Sequence, residues 1–205
     1  MTNDHSMETN VPERPEQAGE LEKLGLDGLV NALHNSTDPK VRQYAAYLLG
    51  KAKNPRAIQP LVEALADLDK SVREQVTLAL SRIGKAAIEP LAEAMNEPRW
   101  QTRYRAAEAL GKIADEKAIK PLIQGLKDNR DHVRYMAAKG LKDLGDSNTI
   151  EPLIILLKDE NVYVRMMSVR ALGAIGGPQA TDALQATLAV ETDESIRAAI
   201  VEALK

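Results

Sequence analysis

From about residue 26 onward, short stretches with apolar residues at i, i+3, i+4 and i+7 alternate with brief polar breaks. Ile58, Leu61, Val62 and Leu65 form one such stretch, and Ile150, Leu153, Ile154 and Leu157 another. That spacing gathers the apolar side chains on one face of an α-helix. A second kind of stretch follows each, as in Val72, Val76, Leu80 and Ile83, or Thr102, Ala106, Leu110 and Ile113. No segment alternates apolar and polar residues in the manner of a half-buried strand, so the expected fold class is all-α.

The pattern repeats. Ile-x-Pro-Leu recurs at Ile58–Leu61, Ile88–Leu91, Ile119–Leu122 and Ile150–Leu153, with prolines 30, 31 and 31 residues apart. A second phrase recurs in fixed phase with it: Val41-Arg42, Val72-Arg73, Thr102-Arg103, Val133-Arg134, Val164-Arg165 and Ile196-Arg197. Each period is therefore a pair of helices. Proline falls in the first turn of the first helix, where a missing N–H costs nothing. Aspartate or asparagine in the intervening turn is placed to cap the second helix. Gly84, Gly145 and Gly176 mark second-helix ends, because glycine tolerates the left-handed conformation that closes a helix.

One pair cannot bury its own apolar face, but a stack of pairs can. The expected architecture is an α-α superhelix, or solenoid, of about six repeats, near 26–57, 58–87, 88–118, 119–149, 150–180 and 181–205, within an array spanning 21–205. Residues 1–20 are polar, carry Pro12 and Pro15, and read as a flexible tail.

Composition narrows the chemistry. There is no Cys and no Phe, with one Trp and five Tyr, so the core is left to Leu, Ile, Val and Ala. The lack of cysteine excludes disulfides, thiolate metal sites and cysteine nucleophiles. With no signal-like N-terminus and no long apolar run, a cytoplasmic location without membrane contact is expected. The net charge of -3 weighs against a global nucleic-acid binder. His5, His34 and His132 are not followed by Glu and are not spaced as metal ligands. No phosphate loop and no nucleophile motif occurs. The expectation is a chain without catalytic residues, metal or cofactor.

The phrase [AT]-I-x-P-L-x-x-x-L followed by D-x-x-V-R-x-x-A-A-x-A-L-G-x-I-G resembles the HEAT-like repeats first associated with phycobilisome bilin lyases. The likeness covers about 26–205. It departs where Gly28 and Ala183 replace proline, where Gln185 replaces an apolar residue, and where Arg99-Trp100 occupy the third turn instead of Asp. The resemblance implies a superhelix whose second helices line a concave binding face. Deoxyhypusine hydroxylases share the repeat type and hold iron with His-Glu pairs; those pairs are absent here, so that activity does not transfer.

Counting from the Val of Val-Arg as zero, positions 0, 4, 8 and 11 are apolar, and positions 2, 3, 6 and 10 are expected to face outward. These positions collect Tyr44, Tyr47, Leu78, Arg82, Tyr104, Arg105, Tyr135, Met136, Lys139, Met166, Met167 and Arg170. Trp100 lies just before one of the helices. A core poor in aromatics beside a face rich in Tyr, Met and Arg suggests a protein interface. Six cations (Lys51, Arg82, Arg105, Lys112, Lys139, Arg170) less three anions (Glu74, Glu108, Asp143) give that face +3, which favours an acidic partner. The recurring Val-Arg arginines are expected to be structural, bonding to turn acids.

The functional expectation is a non-catalytic scaffold that binds a protein along this face. The resemblance leaves open a bilin-lyase-like or chaperone activity on a phycobiliprotein-type partner, and nucleic-acid binding ranks below both. The apolar residues of 196–205 suggest weak self-association at that end.

Overall fold

The computed structural model describes residues 11–205. Among them there are thirteen α-helices and no strand. A short helix α1 (Ala18–Leu21) precedes six pairs. The first helices are α2 (Leu26–Asn35), α4 (Ile58–Glu63), α6 (Ile88–Ala94), α8 (Ile119–Gly125), α10 (Ile150–Ile155) and α12 (Pro178–Leu188). The second helices are α3 (Pro39–Ala52), α5 (Lys70–Ile83), α7 (Trp100–Ile113), α9 (Asp131–Leu144), α11 (Val162–Ile175) and α13 (Glu194–Ala203). The described residues form two compact units, one ending at Ala109 and the other running from Leu110 to Lys205, divided within α7.

The inner first helices are shorter than the pattern predicts. Short 3₁₀ turns flank α4 and α10, Pro55–Ala57 and Ala64–Ala66 around the former, Ser147–Thr149 and Leu156–Lys158 around the latter. Such tightened turns satisfy groups that a helix end leaves free. The second helices start as expected in four repeats. The side chains of Asp38, Asp69, Asn161 and Asp193 each accept from first-turn amides. They end at Gly84, Gly145 and Gly176 with φ of 81°, 68° and 73°. Lys53, at φ 50° and ψ 29°, takes the left-handed conformation of Gly145, and Ala114 also has a positive φ of 53°, without the glycine that suits it.

In the first unit α3 packs on α2 and α5, and α5 on α4. In the second, α11 packs on α9, α10, α12 and α13. The core is a file of leucines. Every helix from α2 to α12 contributes at least one fully buried leucine, among them Leu33, Leu49, Leu61, Leu80, Leu122, Leu141, Leu153, Leu172 and Leu184. In α13 that place is taken by Ile196 and Ile200. Neighbouring second helices approach closely wherever glycine occupies position 9. A Cβ on Gly50 would lie 2.5 Å from Ala79 Cα, and one on Gly173 2.6 Å from Ala203 Cβ. These contacts leave no room for a side chain.

Three of the Val-Arg arginines clamp successive turns. Arg42 donates from Nε and Nη2 to both Asp67 oxygens at 2.8 and 2.9 Å. Arg134 holds Asp159 in the same way at 2.7 and 2.9 Å. Arg165 reaches Glu191 at 3.0 Å. Burial pushes the Asp67 carboxyl up, but the Arg42 guanidinium and the Asp69 amide outweigh it and hold the group below its ordinary value. The Glu191 carboxyl is held low chiefly by the Asp193 amide and further by Arg165.

Part of the N-terminal segment expected as a tail, residues 1–10, lies outside the described residues. Beyond it, Pro12, Pro15, Ala18 and Leu21 are buried at every third position. The Tyr44 hydroxyl donates to Glu22 at 2.5 Å. This stretch covers apolar surface of the first pair that would otherwise face water.

Candidate functional site

The outward positions divide into three kinds. Position 3 does not face outward: Tyr44, Gln75, Met136 and Met167 are 3%, 3%, 6% and 4% exposed. The expectation that Tyr44, Met136 and Met167 are displayed for a partner is corrected accordingly. A second helix in a stack has a neighbour on its flank as well as a core beneath it. Position 3 lies about 60° from position 0 at 100° per residue, on that flank. Position 2 is partly exposed at Tyr104, Tyr135 and Met166, as is position 6 at Tyr47, Leu78 and Lys139, and Arg170 is exposed.

In residues 1–109 the expected contact residues hold one another. The Tyr44 and Tyr47 rings lie 5.7 Å apart, and the Arg82 guanidinium sits 5.3 Å from the Tyr47 centroid. Arg105 lies 5.3 Å from the Tyr104 ring and pairs with Glu108 at 2.7 Å and Glu74 at 3.1 Å. Trp100 meets Tyr104 edge-on at 6.5 Å. Half-buried Leu78 completes this side. Cation–π and ion-pair contacts of this kind tie adjacent second helices together.

In residues 110–205 the equivalent helix positions border an open recess. A recess of about 670 Å³ lies across α9, α11 and α13. Tyr135, Met167, Ala174 and Ala199 give it apolar wall, and Gly173 and Ala203 lower its floor. Lys139, Lys142 and Arg170 line it against one carboxylate, Glu202. Lys142 is paired with Asp143 at 3.0 Å. Four residues named from the pattern, Tyr135, Lys139, Met167 and Arg170, thus share one recess. Lys142, Gly173, Ala199, Glu202 and Ala203 were missed. For Gly173 and Ala203 the signal was present as small residues at positions 9 and 7, which lower the surface where helices touch.

The recess brings a phenol and three cationic side chains onto an apolar wall, with no nucleophile beside a base. His34 Nε2 lies 3.0 Å from the Pro60 carbonyl, and His132 bonds to Asp131. No group of three or more His, Cys, Asp or Glu among the described residues is arranged to hold a metal ion. No helix among them is long and apolar enough to cross a membrane.

A family model for HEAT repeats matches residues 26–99, 88–156 and 119–205. The chain belongs to the HEAT-repeat family. Two relatives connect this HEAT-repeat chain to bilin proteins. It is 31% identical over 103 residues to phycocyanobilin lyase subunit alpha of Picosynechococcus sp., covering 45% of this chain and 38% of that protein. It is 37% identical over 75 residues to the bilin biosynthesis protein PecE of Mastigocladus laminosus, covering 36% and 28%. The HEAT-repeat array thus matches well under half the length of either relative. Among solved structures, the complex of CpcE and CpcF of phycocyanin lyase from Nostoc sp. PCC7120 aligns with a TM-score of 0.68 at 22% identity, over 74% of this chain and all of that one. A designed armadillo repeat protein in complex with the peptide (KR)4 aligns at 0.55 and 21% identity, over 89% of this chain and all of that one. These two likenesses establish the solenoid fold. Human deoxyhypusine hydroxylase aligns at 0.52 with 28% identity, over 86% of this chain and 71% of that one.

Proposed function

We propose that this HEAT-repeat chain is a protein-binding module that seats an acidic partner segment in the recess of α9, α11 and α13. The observation that carries the reading is the recess itself, an apolar floor ringed by Lys139, Lys142 and Arg170 with Glu202 as its one carboxylate. An apolar centre with a charged rim is the usual anatomy of a protein contact. Complementary charge there sets encounter rate and orientation. The test compares wild type with K139E/R170E as bait in extract of the native cell. Proteins retained by wild type and lost by the variant support the reading. An identical captured set from a folded variant overturns it.

A second reading is favoured by the two bilin-related relatives: the partner is a phycobiliprotein, and the chain assists bilin attachment in the manner of a lyase subunit or chaperone. Phycocyanobilin mixed with the chain and an apo-phycobiliprotein then gives a change in visible absorption that the chain accelerates. No acceleration removes this reading and leaves the first intact. Weak self-association through α13 belongs to the same proposal, since Val201 on that helix is 49% exposed. A single monomer mass by light scattering at high concentration refutes that part.

A further inference from the structure

Within the first unit the clamp between repeats is interrupted after Arg42–Asp67. The residue five before each Val-Arg valine normally has two tasks. Its side chain accepts the amide two residues on: Ser36 from Asp38, Asp67 from Asp69, Asp128 from Arg130, Asp159 from Asn161 and Glu191 from Asp193. Where acidic, it also takes an arginine of the preceding repeat, as Asp67, Asp159 and Glu191 do. In the third repeat this residue is Glu97, followed by Pro98, in the one interval that is a residue shorter than its neighbours. Proline restricts the residue before it. Glu97 keeps the backbone part of the arrangement, its carbonyl accepting from Arg103 at 2.8 Å. Its side chain stays exposed and does neither task.

Arg73 is consequently left with an open fork. Its Nη1 donates to the Asp67 and Leu68 carbonyls at 2.6 and 2.8 Å. Its Nε and Nη2, the atoms that grip a carboxylate in Arg42 and Arg134, engage none. Across the gap stands Arg99, in the turn position where Asp38, Asp69, Asn161 and Asp193 cap other second helices. Its Nη1 reaches the Ala66 carbonyl at 3.3 Å. A cavity of about 440 Å³ lies between them, with Asp67, Gln101 and Thr102 also in its wall. The Asp67 carboxylate is already held by Arg42. Two guanidinium groups and two neutral polar side chains therefore face a space from which the repeat's own carboxylate is missing.

We propose that the cavity between Arg73 and Arg99 is a binding site for a carboxylate supplied by an acidic segment of another protein, which takes the place that Glu97 leaves empty. A planar carboxylate matches the two-pronged grip of these arginines, as the Arg42–Asp67 and Arg134–Asp159 pairs demonstrate within the same chain. The site uses residues of the first unit alone, so it stands whether or not the recess of the second unit binds a partner.

The test follows the arginine Nε–Hε resonances of ¹⁵N-labelled full chain during titration with sodium acetate at constant ionic strength. A parallel titration uses inorganic phosphate. The Arg73 signal, assigned with R73K, shifts saturably with acetate, while those of Arg42 and Arg134 stay still because their forks are occupied. R99Q weakens the acetate response at least about threefold by removing one charge-assisted contact. A linear drift shared by all arginines, or saturation by phosphate without saturation by acetate, overturns the proposal. R73K retains the charge but not the fork, so a full response in R73K elsewhere in the spectrum overturns it as well.

Discussion

Removal of the Asp159 carboxylate tests the clamp that joins successive repeats. Asp159 is gripped by Arg134 at 2.7 and 2.9 Å, with the two side chains 8% and 11% exposed. It also accepts the Asn161 amide at 2.9 Å, which shapes the turn entering α11. Deleting one member of a buried pair costs about 3–5 kcal/mol, because the remaining charge is left desolvated. Two features lower that figure here. Arg134 keeps the Asp128 carbonyl at 2.9 Å, and Glu160, 89% exposed, stands 3.5 Å away to take over part of the charge. Losing the Asn161 bond adds back about 1 kcal/mol. Asp159→Ala is therefore expected to cost about 2–4 kcal/mol. Asp159→Leu combined with Arg134→Met is expected to fall within about 1 kcal/mol of wild type, since an apolar pair carries no stranded charge. Lys142→Ala, which removes an exposed pair with Asp143, is the control at under about 1 kcal/mol. Urea unfolding of wild type, Asp159→Leu, Arg134→Met and the double variant, followed by far-UV circular dichroism, gives the four corners of the cycle, and amide exchange in α9 and α11 localises the loss. If Asp159→Ala costs less than about 1 kcal/mol, or if the single changes simply add, the arginines are surface decoration and the clamp is wrong.

The other expectations concern packing, caps and pH. Gly50→Ala gains helix propensity of about 1 kcal/mol, yet its Cβ meets backbone at 2.5 Å, so a net loss of about 1–3 kcal/mol in urea unfolding is expected; a gain refutes the close approach. Gln75→Met removes a buried Nε2 that has no hydrogen-bond partner and installs the residue found at the same position as Met136 and Met167; a gain of about 1 kcal/mol is expected, and a loss means the amide is satisfied in solution. Ala114→Gly relieves a left-handed residue at φ 53° and raises the unfolding midpoint by about 1 kcal/mol equivalent; an unchanged midpoint speaks against that conformation. Asp67 and Glu191 are held below their ordinary values when folded, so the stability they supply is complete above the unfolded values of about 3.9 and 4.3 and drains away as pH falls through the folded ones; Asp67→Asn should flatten part of that acid slope in thermal scans, and an unchanged slope refutes the assignment.

Much of the fold was legible in the chain because each repeat states it again. The period of Ile-x-Pro-Leu and Val-Arg, the caps Asp38, Asp69, Asn161 and Asp193, and the closing Gly84, Gly145 and Gly176 are local signals, each acting within a turn or two of itself. They determine helix pairs, their order and the leucine file between them. The structural role of Arg42, Arg134 and Arg165 was legible for the same reason: a residue that recurs in phase is offered an equivalent neighbour.

Tertiary structure alone decided what lies at the surface. A hydrophobic period records a helix's burial against one core, whereas a second helix within a stack is covered on its flanks too. Tyr44, Met136 and Met167 were therefore displaced from the expected face into the seams between helices. The recess beside Tyr135 and Arg170 exists because Gly173 and Ala203 let α11 and α13 close to contact distance, a relation between residues 30 apart that no single helix reveals. The open fork of Arg73 likewise depends on where the Glu97 side chain points after the chain is folded. Local physics sets the elements, and the mutual approach of elements sets which of their side chains remain free to bind.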